Sequence, residues 1–168
     1  MSQSAVTNRP ELASGTSTRH DDDLYTWVQE QVALLRAGRL DEIDAEHIAE
    51  ELGDVGKSEF SKLQSALEIV LTHMLKWDNQ PERRSRSWAS SIAAQRSEYS
   101  DVLADNPGLK SRRAEALLRA YRKARLGASS ETNHPVESLS AECPYSWDDV
   151  LVRPFIYETP ASSGEKRR

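Results

Sequence analysis

The sequence predicts an all-α protein: a helical bundle built around one long helix, at about residues 42–78, with a C-terminal segment docked on it. Three observations predict this class. Apolar residues recur at steps of three and four from residue 24 to residue 128, the spacing of helices with one buried face. No stretch alternates apolar and polar residues as a half-buried strand would. Charged residues make up 29% of the chain, which suits the large surface of a helical bundle.

The first helix is predicted in the stretch "DDDLYTWVQEQVALLRAG". Its acidic start favours a helix N-terminus, and Gly38 suits the residue after the end. The face that we expect to be buried recurs at helical spacing and consists of Leu24, Val28, Gln31 and Leu35, widened by Trp27 and Leu34.

The long helix is predicted from one apolar face that stays in register for thirty residues. Gly53 and Gly56 each disfavour a helix by ~1 kcal/mol relative to Ala, so two shorter helices are the alternative. The register continues across both glycines, which favours one helix. Its expected buried face comprises Ile48, Leu52, Val55, Glu59, Leu63, Leu67, Val70, Met74 and Trp77.

Two more helices follow. Pro81 fits the first turn of the next one, where a missing N–H is tolerated, and Asn106 with Pro107 starts another. The expected buried positions are Trp88, Ile92, Gln95, Tyr99 and Leu103, and then Ala114, Leu117, Leu118, Tyr121 and Ala128.

The segment after residue 128 loses the helical period but remains apolar. Ser146 and Asp149 resemble a capping box for a short helix, with Asp in place of Glu. The apolar content predicts that the segment 143–157 packs on the bundle. The side chains that predict it are Tyr145, Trp147, Leu151, Phe155 and Ile156.

The composition predicts one domain with two tails. We expect residues 21–157 to form a single helical-bundle domain and residues 1–20 and 158–168 to be disordered. No apolar run approaches the ~20 residues that span a bilayer, so no membrane contact is expected. Cys143 is the only cysteine, which excludes an internal disulfide and favours the cytoplasm.

Four blocks of the chain carry a resemblance: "LYTWVQEQVALLRAGRLDEID", "IAEELGDVGKSE", "LTHMLKWDNQPERRSRSW" and "ECPYSWDDVL". Together they resemble domain of unknown function 29, a family of small bacterial proteins, over about residues 24–157. The resemblance implies an all-helical fold and no particular activity. His47 departs from the family pattern, in which Asn is expected.

No motif in the chain fixes a reaction, and we predict neither catalytic residues nor a cofactor. Asp44, His47 and Glu50 could offer three metal ligands on one helix face, with His73 further along. No Glu-x-x-His pair is present, so we expect no tightly bound metal. His47 is expected on the surface, and His73 as a half-buried, hydrogen-bonded histidine.

Three arginines at the start of a helix are unexpected in a chain of net charge −5. Residues 21–80 carry 14 acids and 5 bases, whereas residues 81–126 carry 5 acids and 11 bases. We therefore expect an internal partner for the arginines among the acids of residues 41–59. The candidate contact residues are Arg83, Arg84 and Arg86, with Trp77, Trp88 and His73 beside them.

The predicted function is a protein–protein interaction or self-associating module without catalysis. The alternative is a nucleic-acid-binding accessory protein that uses the basic residues 83–86 and 110–123. Arginines free of internal partners would favour the alternative, because exposed cations can then serve phosphate.

Overall fold

A computed structural model describes residues 18–157, and in this range the chain forms helices and no strand. The predicted all-α class is confirmed. Short 3-10 turns cover Pro81–Arg83, Pro107–Arg112 and Val136–Ser138. The α-helices are α1 (Leu24–Arg36), α2 (Ala45–Asn79), α3 (Arg86–Asp105), α4 (Arg113–Thr132) and α5 (Trp147–Leu151).

The long helix is confirmed as one continuous element, α2. It begins where the Asp44 carboxylate accepts a hydrogen bond from the backbone N–H of His47, at 3.3 Å. It passes Gly53 and Gly56 without a break. A Cβ atom at either glycine would meet nothing within 4 Å, so packing does not require these glycines.

The chain divides into two compact units, residues 1–53 and 54–168, and α2 contributes to both. In the described part of the first unit, only Trp27 and Gln31 are buried. The expectation that Leu24 and Leu35 lie on a buried face of α1 is therefore wrong, since both side chains are exposed.

The core of the second unit is built on α2 from Phe60 onwards, together with α3 and α4. The side chains that α2 contributes follow the predicted register from Leu63 to Trp77. Apolar helix faces stabilise a fold when a neighbour covers them, and here α3 and α4 do so. The fully buried large side chains are Leu63, Leu67, Val70, Leu71, Met74, Ile92, Tyr121 and Val150.

The C-terminal segment docks on the second unit, as predicted. Arg96 of α3 donates hydrogen bonds to three of its backbone oxygens, those of Asp149, Val150 and Arg153, at 2.7–2.9 Å. The carboxylate of Asp78 binds both terminal nitrogens of Arg153.

Other contacts of the segment also agree with the prediction. Ser146 and Asp149 form the capping box, and Phe155 meets the Trp77 ring edge-on at 5.4 Å. Ile156 is an exception, because its side chain is exposed.

Four further side chains that the sequence placed on buried faces are exposed: Leu52 (67%), Val55 (60%), Leu118 (59%) and Ala114. Helical spacing predicts which residues share a face, but burial also needs an element opposite that face. The second-unit core begins only at Phe60 and covers the side of α4 that carries Ala116, Ala120 and Ala124.

Residues 18–20 belong to the predicted N-terminal tail but have defined contacts. The carboxylate of Glu30 accepts hydrogen bonds from Thr18, and that of Glu51 meets the ring of His20. The other predicted tail residues, 1–17 and 158–168, lie outside the described range. None of the described helices has the length and apolar character needed to cross a bilayer.

Candidate functional site

His73 lies on α2 and is half-buried, as predicted. Its Nδ1 atom is buried and has no hydrogen-bond partner among the described residues, so the expected hydrogen bond at that atom is not formed. Burial lowers the pKa of His73, and the nearby ammonium group of Lys76 lowers it further. His73 is therefore a neutral packing residue near neutral pH.

Trp77 and Trp88 are both engaged within the second unit. Trp77 is buried against Phe155. The Lys76 ammonium group lies 4.6 Å from the centre of the Trp88 ring and forms an ion pair with Glu131. The two indoles thus pack the end of the bundle.

The three arginines after α2 have different surroundings. Arg84 donates a hydrogen bond from Nε to the backbone oxygen of Trp77, at 2.8 Å, and its guanidinium lies over the Trp77 ring. A cation at a helix C-terminus is favourable, which gives Arg84 a structural role at the end of α2. Arg83 and Arg86 are exposed.

Within residues 54–157, the predicted internal pairing of these arginines is not found. None of the three forms an ion pair with a carboxylate within residues 54–157. Of the acids that we expected as partners, Asp54 and Glu59 bind Lys57 and Lys62 instead. In the first unit, Asp44 and Glu51 bind His47 and His20, respectively, and Glu42 binds Arg39.

The basic residues near the start of α4 pack on aromatic rings. The guanidinium of Arg112 lies 3.8 Å from the centre of the Phe60 ring, and that of Arg113 lies 4.3 Å from the Trp147 ring. Phe60 is almost twenty residues before the end of α2, whereas Arg83 follows that end. At 1.5 Å per residue, roughly 30 Å of helix separates the two groups, so they do not form one continuous basic surface.

The outer side of α4 combines apolar and basic side chains, and we call it the α4 surface. Leu118 and Leu126 are 59% and 63% exposed. Cations stand between and beside these leucines; Arg119 pairs with Glu115, and Lys123 lies 3.6 Å from Glu68. The α4 surface consists of Leu118, Arg119, Arg122, Lys123 and Leu126.

A groove of about 560 Å³ runs beside the α4 surface. Its α2 wall carries the uncharged polar side chains of Ser61, Gln64 and Ser65, and its other wall carries Arg119, Arg122 and Lys123. The groove is polar and positively lined, and it lies within the second unit.

The first unit exposes a second apolar set, which we call the hairpin surface. It comprises Leu24, Tyr25 and Leu35 of α1 and Leu52 of α2. Acidic side chains surround these positions, since residues 21–53 contain ten Asp or Glu and two Arg. The hairpin surface is therefore apolar and acidic, the opposite charge character to the α4 surface.

The structure brings together two histidines that the sequence analysis treated separately. The His20 and His47 rings stack with centroids 4.6 Å apart, and both meet the buried Trp27 ring edge-on. Sequence reasoning missed this pair because it assigned His20 to a tail and His47 to the surface. The spacing of Asp44 and His47 was the available signal, since the Asp44 carboxylate holds the His47 ring.

The comparisons with known proteins bear on the family alone. No curated protein and no solved structure gives a significant match to the chain. The sequence profile of the family described as "Domain of unknown function DUF29" matches residues 20–156, which is most of the chain. The all-helical fold and this match agree with the resemblance seen in the sequence, and the chain belongs to the DUF29 family.

Proposed function

We propose that the protein is a self-associating interaction module without catalysis, in which the hairpin surface of one copy docks on the α4 surface of another. The observation that carries the proposal is the pair of exposed leucines on each surface: Leu24 and Leu52 on one, Leu118 and Leu126 on the other. Each pair is surrounded by charges of opposite sign to those around the other pair.

Burial of apolar side chains would drive the association. Fully burying a leucine that is otherwise exposed contributes about 1.5–3 kcal/mol. The first unit covers only two side chains among its described residues, so its apolar positions gain most from a neighbour. Exposed apolar sets that are rimmed by polar residues are typical of interaction sites.

Charge complementarity supports a second copy of the chain as the occupant. The hairpin surface lies in a strongly acidic segment, and the α4 surface carries three cations. Attraction between opposite charges steers association, whereas like charges repel. Two hairpin surfaces should therefore repel each other. In a two-fold pair of chains the contact is made twice. We expect this pairing in the cytoplasm.

The exposed side chains of Arg83 and Arg86, which form no ion pair within residues 54–157, favour the alternative nucleic-acid function, but its other observations give it less support. The basic residues 83–86 are separated along α2 from the start of the group 110–123. Arg112 and Arg113 pack on aromatic rings, which leaves Arg119, Arg122 and Lys123 of that group exposed on the α4 surface. The affinity for a nucleic-acid backbone grows with the number of phosphates that are neutralised together, so basic groups that do not share one surface contribute less.

The test is sedimentation velocity of the full chain over a range of concentrations and salt. We expect a species of twice the 18.9 kDa chain mass at low salt, weakened by added NaCl because screening reduces the attraction. The double variants Leu24→Ser/Leu52→Ser and Leu118→Ser/Leu126→Ser should each weaken the dimer by at least ~100-fold, or ~2.7 kcal/mol, because each removes two leucines from both contacts.

A mixture of the two double variants distinguishes contact between the hairpin surface and the α4 surface from other ways in which two chains could pair. Each variant keeps one intact surface, so an equimolar mixture should form a heterodimer through a single contact. Val152→Ser is the matched control, since Val152 is exposed but belongs to neither surface. A monomeric wild type at all concentrations would refute the proposal, and so would a mixture that stays monomeric. A monomeric wild type that binds mixed-sequence nucleic acid, with the binding lost in Arg122→Glu, would establish the alternative.

A further inference from the structure

Three side chains with metal-binding chemistry lie together in the first unit: His20, Asp21 and His47. One ligand atom of each lies within 4.8 Å of those of the other two. His20 and Asp21 precede α1, and His47 stands in the first turn of α2. Against the expectation from the sequence that no metal is tightly bound, we propose that this group binds one divalent transition-metal ion, with Zn²⁺ as the best-suited ion.

The carboxylates around the two imidazoles support this assignment. The Nδ1 atom of His47 lies 2.7 Å from Asp44 Oδ2, and the Nε2 atom of His20 lies 2.8 Å from Glu51 Oε1. Metal-binding histidines commonly donate one ring N–H to a carboxylate, which orients the ring and leaves the other nitrogen for the metal. Both histidines here have a carboxylate in that position.

A second observation concerns the other nitrogen of His20. Its Nδ1 atom lies 3.1 Å from Asp21 Oδ1, so carboxylates face both ring nitrogens. A neutral imidazole has only one N–H, and the remaining nitrogen presents a lone pair. A lone pair facing a carboxylate oxygen at this distance is unfavourable. A positive charge resolves the conflict, and it can be supplied by a proton on the ring or by a metal ion between the ring and Asp21.

The donor set distinguishes which cations fit. Two imidazole nitrogens and one carboxylate oxygen match the ligands of Zn²⁺ and its transition-metal neighbours, whereas Ca²⁺ and Mg²⁺ prefer oxygen. Three protein ligands leave a fourth position for water. Bonds of ~2.1 Å in a tetrahedral site place donors about 3.4 Å apart, so the ligands must draw closer on binding. Asp21 can move to do so, because its side chain is 74% exposed.

The expected role of the ion is structural. His20 lies before α1 and His47 lies in α2, so one ion bound to both would tie the segment before α1 to the first turn of α2. The acidic residues nearby, Asp22, Asp23 and Asp44, create a negative field that favours a cation. This inference rests on the histidine pair and is independent of the proposed self-association.

Calorimetric titration of the tag-free full chain with ZnCl₂ tests the site, with CoCl₂ and visible spectroscopy as a second probe. We expect one ion per chain. His20→Ala and His47→Asn should each weaken binding at least ~10-fold, and Glu51→Gln about 10–100-fold through loss of the supporting carboxylate. Binding should also weaken in acid, because protons compete for the imidazoles.

His134→Ala is the matched control, since His134 lies in the second unit and should leave the affinity unchanged. Circular dichroism checks that each variant keeps its helices, and His20 lies outside every helix, so its loss should leave them intact. Wild-type protein that takes up no Zn²⁺ or Co²⁺ would overturn the proposal and assign the positive charge to a proton. Equal affinity in wild type and His20→Ala would overturn it as well.

Discussion

The two units differ in what holds them together, although the same helix runs through both. The first unit relies on polar contacts, such as the hydrogen bond from the Asp44 backbone N–H to Gln31 Oε1 at 2.8 Å. The second unit is built on a continuous apolar core along α2, α3 and α4. Leu52 and Leu67 have the same predicted role on one helix face, yet one is exposed and the other fully buried. The difference shows that apolar spacing specifies a helix face and that a neighbouring element decides whether this face is buried.

The contrast also concerns stability. A unit with few buried apolar contacts opens locally at low free energy, whereas core helices open only with the whole fold. The first unit should therefore be the region in which an added contact has most effect, whether that contact is a second copy of the chain or a metal ion.

The largest effect is expected from a matched pair of substitutions on α2. Leu67→Ala should reduce the free energy of unfolding by about 2–5 kcal/mol, because it leaves a cavity in the core. Leu52→Ala should change it by only about 0.5 kcal/mol or less, because the side chain is exposed. Urea unfolding measured below the dimerisation concentration gives both values. Equal losses in the two variants would mean that the contrast between the units is wrong.

Arg96 tests whether the C-terminal segment belongs to the stable unit. Arg96→Ala should cost about 2–4 kcal/mol, because three backbone oxygens lose a charged hydrogen-bond donor at once. Arg86→Ala is the control on the same helix, since Arg86 is exposed and should change stability by about 0.5 kcal/mol or less. Faster proteolysis at residues 143–157 in Arg96→Ala alone would confirm the docking role. A neutral Arg96→Ala would show that the segment is held by other contacts.

The smallest expected effect is the pH dependence of the free energy of unfolding, and its source should be His73 in the second unit. Burial, followed by the Lys76 charge, lowers the pKa of His73 in the folded state below its ordinary value of 6.5. The unfolded chain therefore binds the proton more tightly, and this contribution to stability is lost as pH falls below 6.5. Melting of wild type and His73→Gln between pH 7.5 and 5 should show a shallower pH dependence in the variant. His134→Gln serves as the control and should behave as wild type. Identical slopes in all three proteins would exclude His73 as the source.

Helices were largely predictable from this sequence, because each carries its own local signals. The register from Leu63 to Trp77 and the capping box at Ser146 were read directly from residue spacing, and both are present. Exposure was less predictable. Leu118 satisfies the spacing of a buried face, but α4 turns Ala116, Ala120 and Ala124 towards the core, because the neighbouring helices cover that side.

The candidate site was less accessible to sequence reasoning, because its contacts join distant residues. His20 and His47 are 27 positions apart, and nothing local indicates that their rings stack. The sequence showed that three arginines at residues 83–86 are unusual, but it did not predict what they bind. The sequence suggested carboxylate partners, whereas Arg84 binds a backbone oxygen at the end of α2, a contact available to any arginine that the turn directs there.

The bonds that Arg96 and Asp78 make to residues 149–153 have a consequence for synthesis on the ribosome. The chain is made from its N-terminus, so α2, α3 and α4 are complete at Thr132, about twenty residues before Arg153 emerges. At 5–20 residues per second, that interval lasts about 1–4 s. During it, the carboxylate of Asp78 and the ring of Trp77 lack the partners that cover them in the finished protein. A chain truncated after Thr132 should therefore present this end of the bundle to chaperones, and the full chain should not.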